Sequence, residues 1–133
     1  MARGVVVLAS LLVLGLAGGI AGVGLVGPAG RAPLPALVVA GGDPERGKDV
    51  IRRNGCGTCH VIPGIAGADG LVGPALDRFA RRAYVGGVLP NRPQNLVGWL
   101  LDPPAVDALT AMPAPGLSAA EARDVAAYLY RLH

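Results

Sequence analysis

Aromatic side chains are scarce in this chain of 133 residues, which has one tryptophan, one phenylalanine and three tyrosines. No residue from Gly4 to Gly30 is charged, and charged residues recur regularly only from Asp43 to His133. We call residues 43–133 the charged portion. A domain of about ninety residues buries a modest share of its surface, and with few aromatic rings its core stays underfilled. The composition therefore favours a small domain that a bound hydrophobic cofactor completes.

A strong net charge is lacking as well. The formal charge is +3, but two of the twelve basic residues, Arg3 and Arg31, precede the charged portion. The charged portion therefore has ten basic and nine acidic residues, which gives it a net charge of about +1. Lys48 is the only lysine, and no basic run alternates with aromatic residues. We therefore expect no nucleic-acid partner.

The uncharged N-terminal stretch predicts a membrane segment. Its apolar run exceeds twenty residues, whereas a signal-peptide core takes about 7–15 and a membrane span about 20. This length favours residues 1–30 as an uncleaved transmembrane anchor over a cleaved signal, and residues 31–42 are the predicted linker. An anchor would place domain 43–133 on the outer, periplasmic side of a single-pass membrane protein. Cleavage would release the domain into the periplasm.

The two cysteines, Cys56 and Cys59, lie three residues apart, and His60 follows directly. A structural zinc site needs about four ligands, and the sequence has no second cysteine–histidine pair. A thioredoxin-like redox pair requires a βαβ context, which the helical pattern does not provide. Two thiols at this spacing before a histidine are typical of covalent haem attachment. The motif therefore predicts one haem c per chain, with His60 as an iron ligand.

Met112 is the only methionine besides the initiator, and it lies in the proline-rich stretch TAMPAPG. Such a stretch favours a loop over a helix or a strand, and a thioether is a soft donor that suits haem iron. We therefore predict Met112 as the second axial ligand. Two alternatives stay open, namely that Met112 fills the core and that His133 ligates the iron.

The charged portion shows three helical patterns, at residues 43–55, 92–104 and 117–133. Asp43 is the predicted N-cap of the first pattern, and Ser118 is that of the third. Pro93 begins the second pattern, and Pro103 with Pro104 ends it. Apolar residues recur at the helical repeat in these patterns. Together they enclose a gap that a chain of this length cannot fill and a haem can.

By these features the sequence resembles a class I c-type cytochrome with one haem, from Asp43 to Leu132. The run RAYVGGVLPNRPQNLVGWLLDPPAV, with TAMP and ARDVAAYLY after it, most resembles the cytochrome c domain associated with subunit II of haem–copper terminal oxidases. The resemblance implies an all-α fold of three to five helices around one covalent haem, preceded here by the predicted membrane helix. It also implies that the first and last helices cross, with Gly47 allowing close approach.

The same resemblance implies roles for further residues around the haem. The carbonyl of Pro74 accepts the ring N–H of His60, and Leu76 presses on the haem. Trp99 lies near the ligand sulfur or a propionate. Three more side chains are implied as partners of the propionates: Arg82, Tyr84 and Thr110.

We predict an electron carrier rather than an enzyme. Methionine ligation and a dry pocket favour the reduced iron, and two filled axial positions leave no site for a small-molecule substrate. The resemblance implies a quinol-oxidising complex as donor and a terminal oxidase as acceptor in a respiratory chain. An alternative is an integral electron-entry subunit of a larger oxidase or dehydrogenase complex, which the small residues of the anchor favour. A ligand-binding or peroxidatic haem protein would need an open sixth position.

Overall fold

A computed structural model describes residues 39–133 of the chain. These residues form four α-helices: α1 Pro44–Arg53, α2 Pro93–Leu101, α3 Pro103–Val106 and α4 Ala119–Leu129. Two 3₁₀ turns, Cys56–Thr58 and Phe79–Arg81, lie between α1 and α2. They are followed by an antiparallel hairpin of β1 Tyr84–Val85 and β2 Leu89–Pro90. The prediction of an all-α domain with three to five helices is confirmed in part: the four helices agree with it, whereas the small hairpin was not predicted.

The predicted membrane helix, residues 1–30, lies outside the described residues, as does most of the predicted linker 31–42. Within residues 39–133, none of the helices has the length and apolar character that crossing a membrane requires. Val39 is buried in the hydrophobic core of the domain, with 7% of its surface exposed. The anchor, the linker and the outer-side location stay predictions.

Helix α1 begins as its sequence predicts. The carboxylate of Asp43 accepts hydrogen bonds from the backbone N–H groups of Glu45, at 2.9 Å, and Arg46, at 3.1 Å. Pro44 occupies the first turn, where its missing N–H is not needed. The helix ends at Arg53, and the left-handed Gly55, with φ of 67°, then turns the chain toward the cysteines.

Helices α1 and α4 cross at Gly47. A Cβ atom at this position would collide with the backbone carbonyl of Asp124 in α4, so only glycine permits the approach. At this crossing Val50 and Ile51 of α1 and Val125 of α4 are buried in one hydrophobic core. Removing such apolar side chains from water is the main force that holds the two helices together.

Helix α2 starts at Pro93 and ends at Leu101, just before the two prolines that were predicted to stop it. Proline disfavours a helical conformation in the residue before it, and Asp102 is not helical, with φ of −152° and ψ of 83°. Its carboxylate then accepts the N–H of Ala105 at 3.2 Å and caps α3. The two prolines therefore end one helix and start another.

Helix α4 opens with the predicted capping box. The Ser118 hydroxyl accepts the N–H of Glu121 at 3.3 Å, and the Glu121 carboxylate accepts the N–H of Ser118 at 2.9 Å. The helix ends at Leu129, before the end of the predicted pattern at residues 117–133. The backbone then tightens, because the N–H groups of Arg131 and Leu132 donate to carbonyls three residues back, at 3.0 Å and 3.1 Å. The carbonyl of Leu132 accepts the N–H of Ala80 at 3.0 Å.

Candidate functional site

A cavity of about 360 Å³ lies between α1, α2 and α4. Its volume falls in the range of about 300–1,000 Å³ that is typical of ligand and cofactor sites. The structure brings every predicted site residue to its wall: Cys56, Cys59, His60, Pro74, Leu76, Arg82, Tyr84, Trp99, Thr110 and Met112. His133, the alternative ligand, is exposed and is not part of this wall.

The two thiols reach the cavity from the 3₁₀ turn that follows α1. Backbone N–H groups of Cys59 and His60 both donate to the carbonyl of Cys56, at 3.3 Å and 3.1 Å. The Thr58 hydroxyl donates to the carbonyl of Gly55 at 2.8 Å and closes the turn from outside. Both cysteines are half-buried free thiols, and burial raises the pKa of the Cys56 thiol. The turn thus places two thiols and an imidazole on the wall of the same cavity.

The imidazole of His60 has a defined tautomer. Its Nδ1 lies 2.8 Å from the carbonyl oxygen of Pro74, and because a carbonyl can only accept, Nδ1 carries the proton. The lone pair of Nε2 is then available to a metal. Gly73 leaves room for the ring, because a Cβ there would collide with the imidazole. The contact that the resemblance implied between His60 and Pro74 is present.

Met112 lies on a loop, as its prolines predict. The loop follows α3 and runs without helix or strand to Ser118. Met112 is half-buried, packs against the hydrophobic core and also lines the cavity. Its backbone N–H donates to the hydroxyl oxygen of Thr110 at 3.2 Å. Thr110 therefore shapes the methionine loop in addition to lining the cavity.

Trp99 lines the cavity from α2 and is 7% exposed. The turn of the hairpin covers its ring, and a Cβ at Gly86 would collide with the indole. Gly86 has a φ of 58°, a left-handed conformation that favours glycine. The hairpin also places Tyr84 at the cavity, with 57% of its surface exposed. Gly86-Gly87 between two valines was a signal for this hairpin.

Arg82 brings a positive charge to the cavity wall. It follows the second 3₁₀ turn, and its guanidinium donates to the carbonyls of Ala75 and of Asp77, the latter at 3.3 Å. The guanidinium carbon also lies 5.4 Å from the centre of the Phe79 ring. Arg82 is the basic residue of the cavity wall, and the rest of the wall is mainly apolar.

A family model described as cytochrome c matches residues 44–133. The chain belongs to the cytochrome c family. It is also similar to a protein of Alkalihalophilus pseudofirmus named cytochrome c oxidase subunit 2, with 34% identity over 89 residues, or 66% of this chain. That match covers 25% of the relative, so the chain spans about a quarter of the relative's length.

Membership confirms the resemblance read from the sequence, and it assigns haem-based electron transfer to this cytochrome c domain. The cavity fits a haem in three respects. The wall carries two thiols, one imidazole nitrogen and one thioether, which are donors suited to haem iron and its attachment. Apolar side chains fit the flat macrocycle, and the guanidinium of Arg82 fits carboxylate groups.

Three residues that shape the site of this cytochrome had no role predicted from the sequence. Gly73 and Gly86 leave space for the rings of His60 and Trp99, respectively. Asn91 lies outside the cavity wall and forms hydrogen bonds with the turn that carries Arg82. Only Gly86 had a local signal, in its glycine pair. The other two act through residues that are distant in sequence.

Proposed function

We propose that this cytochrome c domain is a one-electron carrier. Cys56 and Cys59 would hold a haem c covalently, and His60 and Met112 would ligate its iron. One observation carries the proposal: these four side chains lie on the wall of one cavity. The chain has no further cysteines, and Met112 is its only methionine apart from Met1.

The residues of the chain act by orientation and by exclusion of water. The Pro74 carbonyl fixes the ring of His60 and increases the basicity of Nε2. When bound, haem supplies a couple between ferrous and ferric iron. The thioether of Met112 and the apolar wall, which includes Leu96 and Leu100, disfavour additional positive charge and thus favour the reduced state. With His60 and Met112 both bound to the iron, the haem would leave no position for a small-molecule substrate.

We further propose that residues 1–30 tether the domain to the outer face of the membrane. The charge-free stretch from Gly4 to Gly30 supports this tether. A carrier in this position would accept electrons from a quinol-oxidising complex and pass them to a terminal oxidase. The alternative is an electron-entry subunit integral to a larger oxidase or dehydrogenase complex. It is favoured by the similarity to a longer protein named cytochrome c oxidase subunit 2.

The experiment that tests the haem assignment is expression of the full chain in a host that attaches haem covalently. We expect the colour to stay with the protein after acid–acetone extraction. In the double variant Cys56→Ala, Cys59→Ala the solvent should remove the haem, because no thioether can form. Thr58→Ser is the matched control, since it leaves both thiols in the same turn. Extraction of haem from the unmodified protein would contradict the proposal.

The same preparation distinguishes the carrier from the integral subunit. When the chain is purified from native membranes in mild detergent, a free carrier is recovered alone. Stable co-purification of a catalytic subunit in equal amount would favour the alternative.

A further inference from the structure

The turn that carries Arg82 is held by two side chains outside the cavity. We propose that Asn91 and Tyr130 are positioning residues, which hold the guanidinium of Arg82 at the cavity wall and thereby raise the midpoint potential of the haem. This inference rests on the proposed function, because it concerns the redox centre that the cavity would hold. Neither positioning residue lines the cavity.

Asn91 binds both ends of the turn. Its side-chain Nδ2 donates to the carbonyl of Phe79 and to the carbonyl of Arg82, each at 3.0 Å. Its backbone N–H donates to the carbonyl of Ala83 at 2.9 Å. An asparagine amide has two N–H donors, and both are used here on the residues that begin and follow the 3₁₀ turn Phe79–Arg81. The turn therefore cannot open without breaking these bonds.

Tyr130 fixes the orientation of the Asn91 amide. The Tyr130 hydroxyl donates to Oδ1 of Asn91 at 2.8 Å, so Nδ2 must face the carbonyls of the turn. Tyr130 is 4% exposed, and burial raises its pKa to about 12. The hydroxyl therefore keeps its proton and remains a donor throughout the neutral range.

The rings and the chain end add to this support. The Tyr130 and Phe79 rings pack edge to face, with centres 5.8 Å apart and planes at 66°. The guanidinium of Arg82 lies over the same Phe79 ring. The N–H of Ala80 donates to the carbonyl of Leu132 at 3.0 Å. The chain segment after α4 and the 3₁₀ turn Phe79–Arg81, which Arg82 follows, thus form one packed unit.

The charge of Arg82 links this unit to electron transfer. Reduction adds one electron to the redox centre, so a nearby positive charge stabilises the reduced state more than the oxidised state. The interaction weakens as the distance grows or as water enters between the charges. If the turn loosens, the guanidinium can leave the wall toward solvent. The midpoint potential should then fall, although no cavity residue has been changed.

The test compares Asn91→Leu and Tyr130→Phe with Arg82→Gln in the haem-loaded full chain. At a fixed solution potential, we expect Arg82→Gln to lower the ratio of reduced to oxidised protein about tenfold. The two positioning variants should each lower the ratio about threefold, because the charge is displaced rather than removed. Tyr128→Phe is the matched control. It removes the hydroxyl of a tyrosine two residues before Tyr130, one that donates to the carbonyl of Pro63, and should leave the ratio unchanged.

A second comparison separates positioning from general loss of structure. Combined with Arg82→Gln, neither Asn91→Leu nor Tyr130→Phe should lower the potential further, since their effect passes through Arg82. Additive effects, or an unchanged potential in both single variants, would overturn the inference. If Asn91→Leu does not fold, Tyr130→Phe decides alone, because it removes one hydroxyl and keeps the ring. Absence of a reversible haem couple in the unmodified protein would instead overturn the proposed function.

Discussion

A hydrogen bond and a steric limit together hold the imidazole of His60. Its Nδ1 donates to the carbonyl of Pro74, and Gly73 leaves the ring the space that a side chain would take. Met112 is supported differently, because the bond from its N–H to Thr110 lies within its own loop. The two proposed ligands are thus held by separate parts of the chain. Replacing one should leave the support of the other intact.

For single residues, we predict that Met112→Ala changes the redox centre. Loss of the thioether should lower the midpoint potential by at least about 59 mV, the equivalent of a tenfold change in the reduced-to-oxidised ratio. The open axial position should also let the ferrous protein bind carbon monoxide at neutral pH. Redox titration and the visible spectrum measure both effects. Leu109→Ala is the control, since this side chain in the same loop is 94% exposed. An unchanged potential would remove Met112 from the ligand set.

At the scale of elements, a buried carboxylate joins the start of α1 to α4. Asp124 is 5% exposed and accepts the backbone N–H of Asp43 at 2.7 Å. It also accepts two bonds from the Arg46 guanidinium, at 2.9 Å and 3.0 Å. The hydrogen bonds from Arg46 are the largest cause that lowers the pKa of Asp124, and the bond from Asp43 adds to them. Burial acts in the opposite direction, but the pKa stays below its ordinary value. The ionised carboxylate therefore stabilises the folded state.

We expect Asp124→Asn to lower the free energy of unfolding at pH 7 by about 1–3 kcal/mol. Because the pKa of Asp124 is lower in the folded state, its stabilising effect is complete above the ordinary pKa of 3.8. The effect is lost as the pH falls below that value, so the difference between variant and unmodified protein should shrink in acid. Denaturant unfolding of both proteins at several pH values measures this difference in the free energy of unfolding.

Asp49→Asn is the control for this prediction, since it removes an exposed carboxylate that pairs with Arg52 within α1. Exposed pairs contribute about 0–1 kcal/mol. Equal losses in the two variants would show that Asp124 has no special role in joining the helices.

Helix starts were predictable from the sequence because capping is local chemistry. Asp43, Pro93 and Ser118 each mark a start that the structure has. Helix ends were predictable only where proline marks them, as Pro103 does for the end of α2. The end of α4 has no such mark, and there the N–H groups of Arg131 and Leu132 donate to carbonyls three residues back.

At the scale of the whole molecule, the cavity is large for so small a domain. A space of about 360 Å³, lined mainly by apolar side chains, leaves the inner faces of α1, α2 and α4 without packing partners when no haem is bound. An ordinary domain is stable by only about 5–15 kcal/mol, and one of about ninety residues has little apolar contact to spare. We therefore expect the chain without haem to be largely unfolded.

This expectation can be measured by circular dichroism of the chain expressed without haem attachment. The helical signal should be weak and should lack a cooperative thermal transition, whereas the haem-loaded chain should show both. Refolding on attachment of haem is the positive control. A haem-free chain with native helicity and a sharp transition would contradict the prediction.

The candidate site was predictable from the sequence wherever its chemistry is local. The cysteine–histidine motif and the methionine between prolines are short patterns, and the structure brings both to one cavity. The pair of Asn91 and Tyr130 was not predictable, since 39 positions separate the two residues in the sequence. Packing of the complete domain decides that they meet.

The first and last helices carry one more contact at the edge of the domain. Arg131, just after α4, donates to the carboxylate of Glu45 in the first turn of α1 at 2.7 Å. The start of α1 and the end of α4 are therefore neighbours. A domain whose first and last helices lie side by side at its edge can be joined to a longer polypeptide at one place on its surface, without a change in the packing around its cavity.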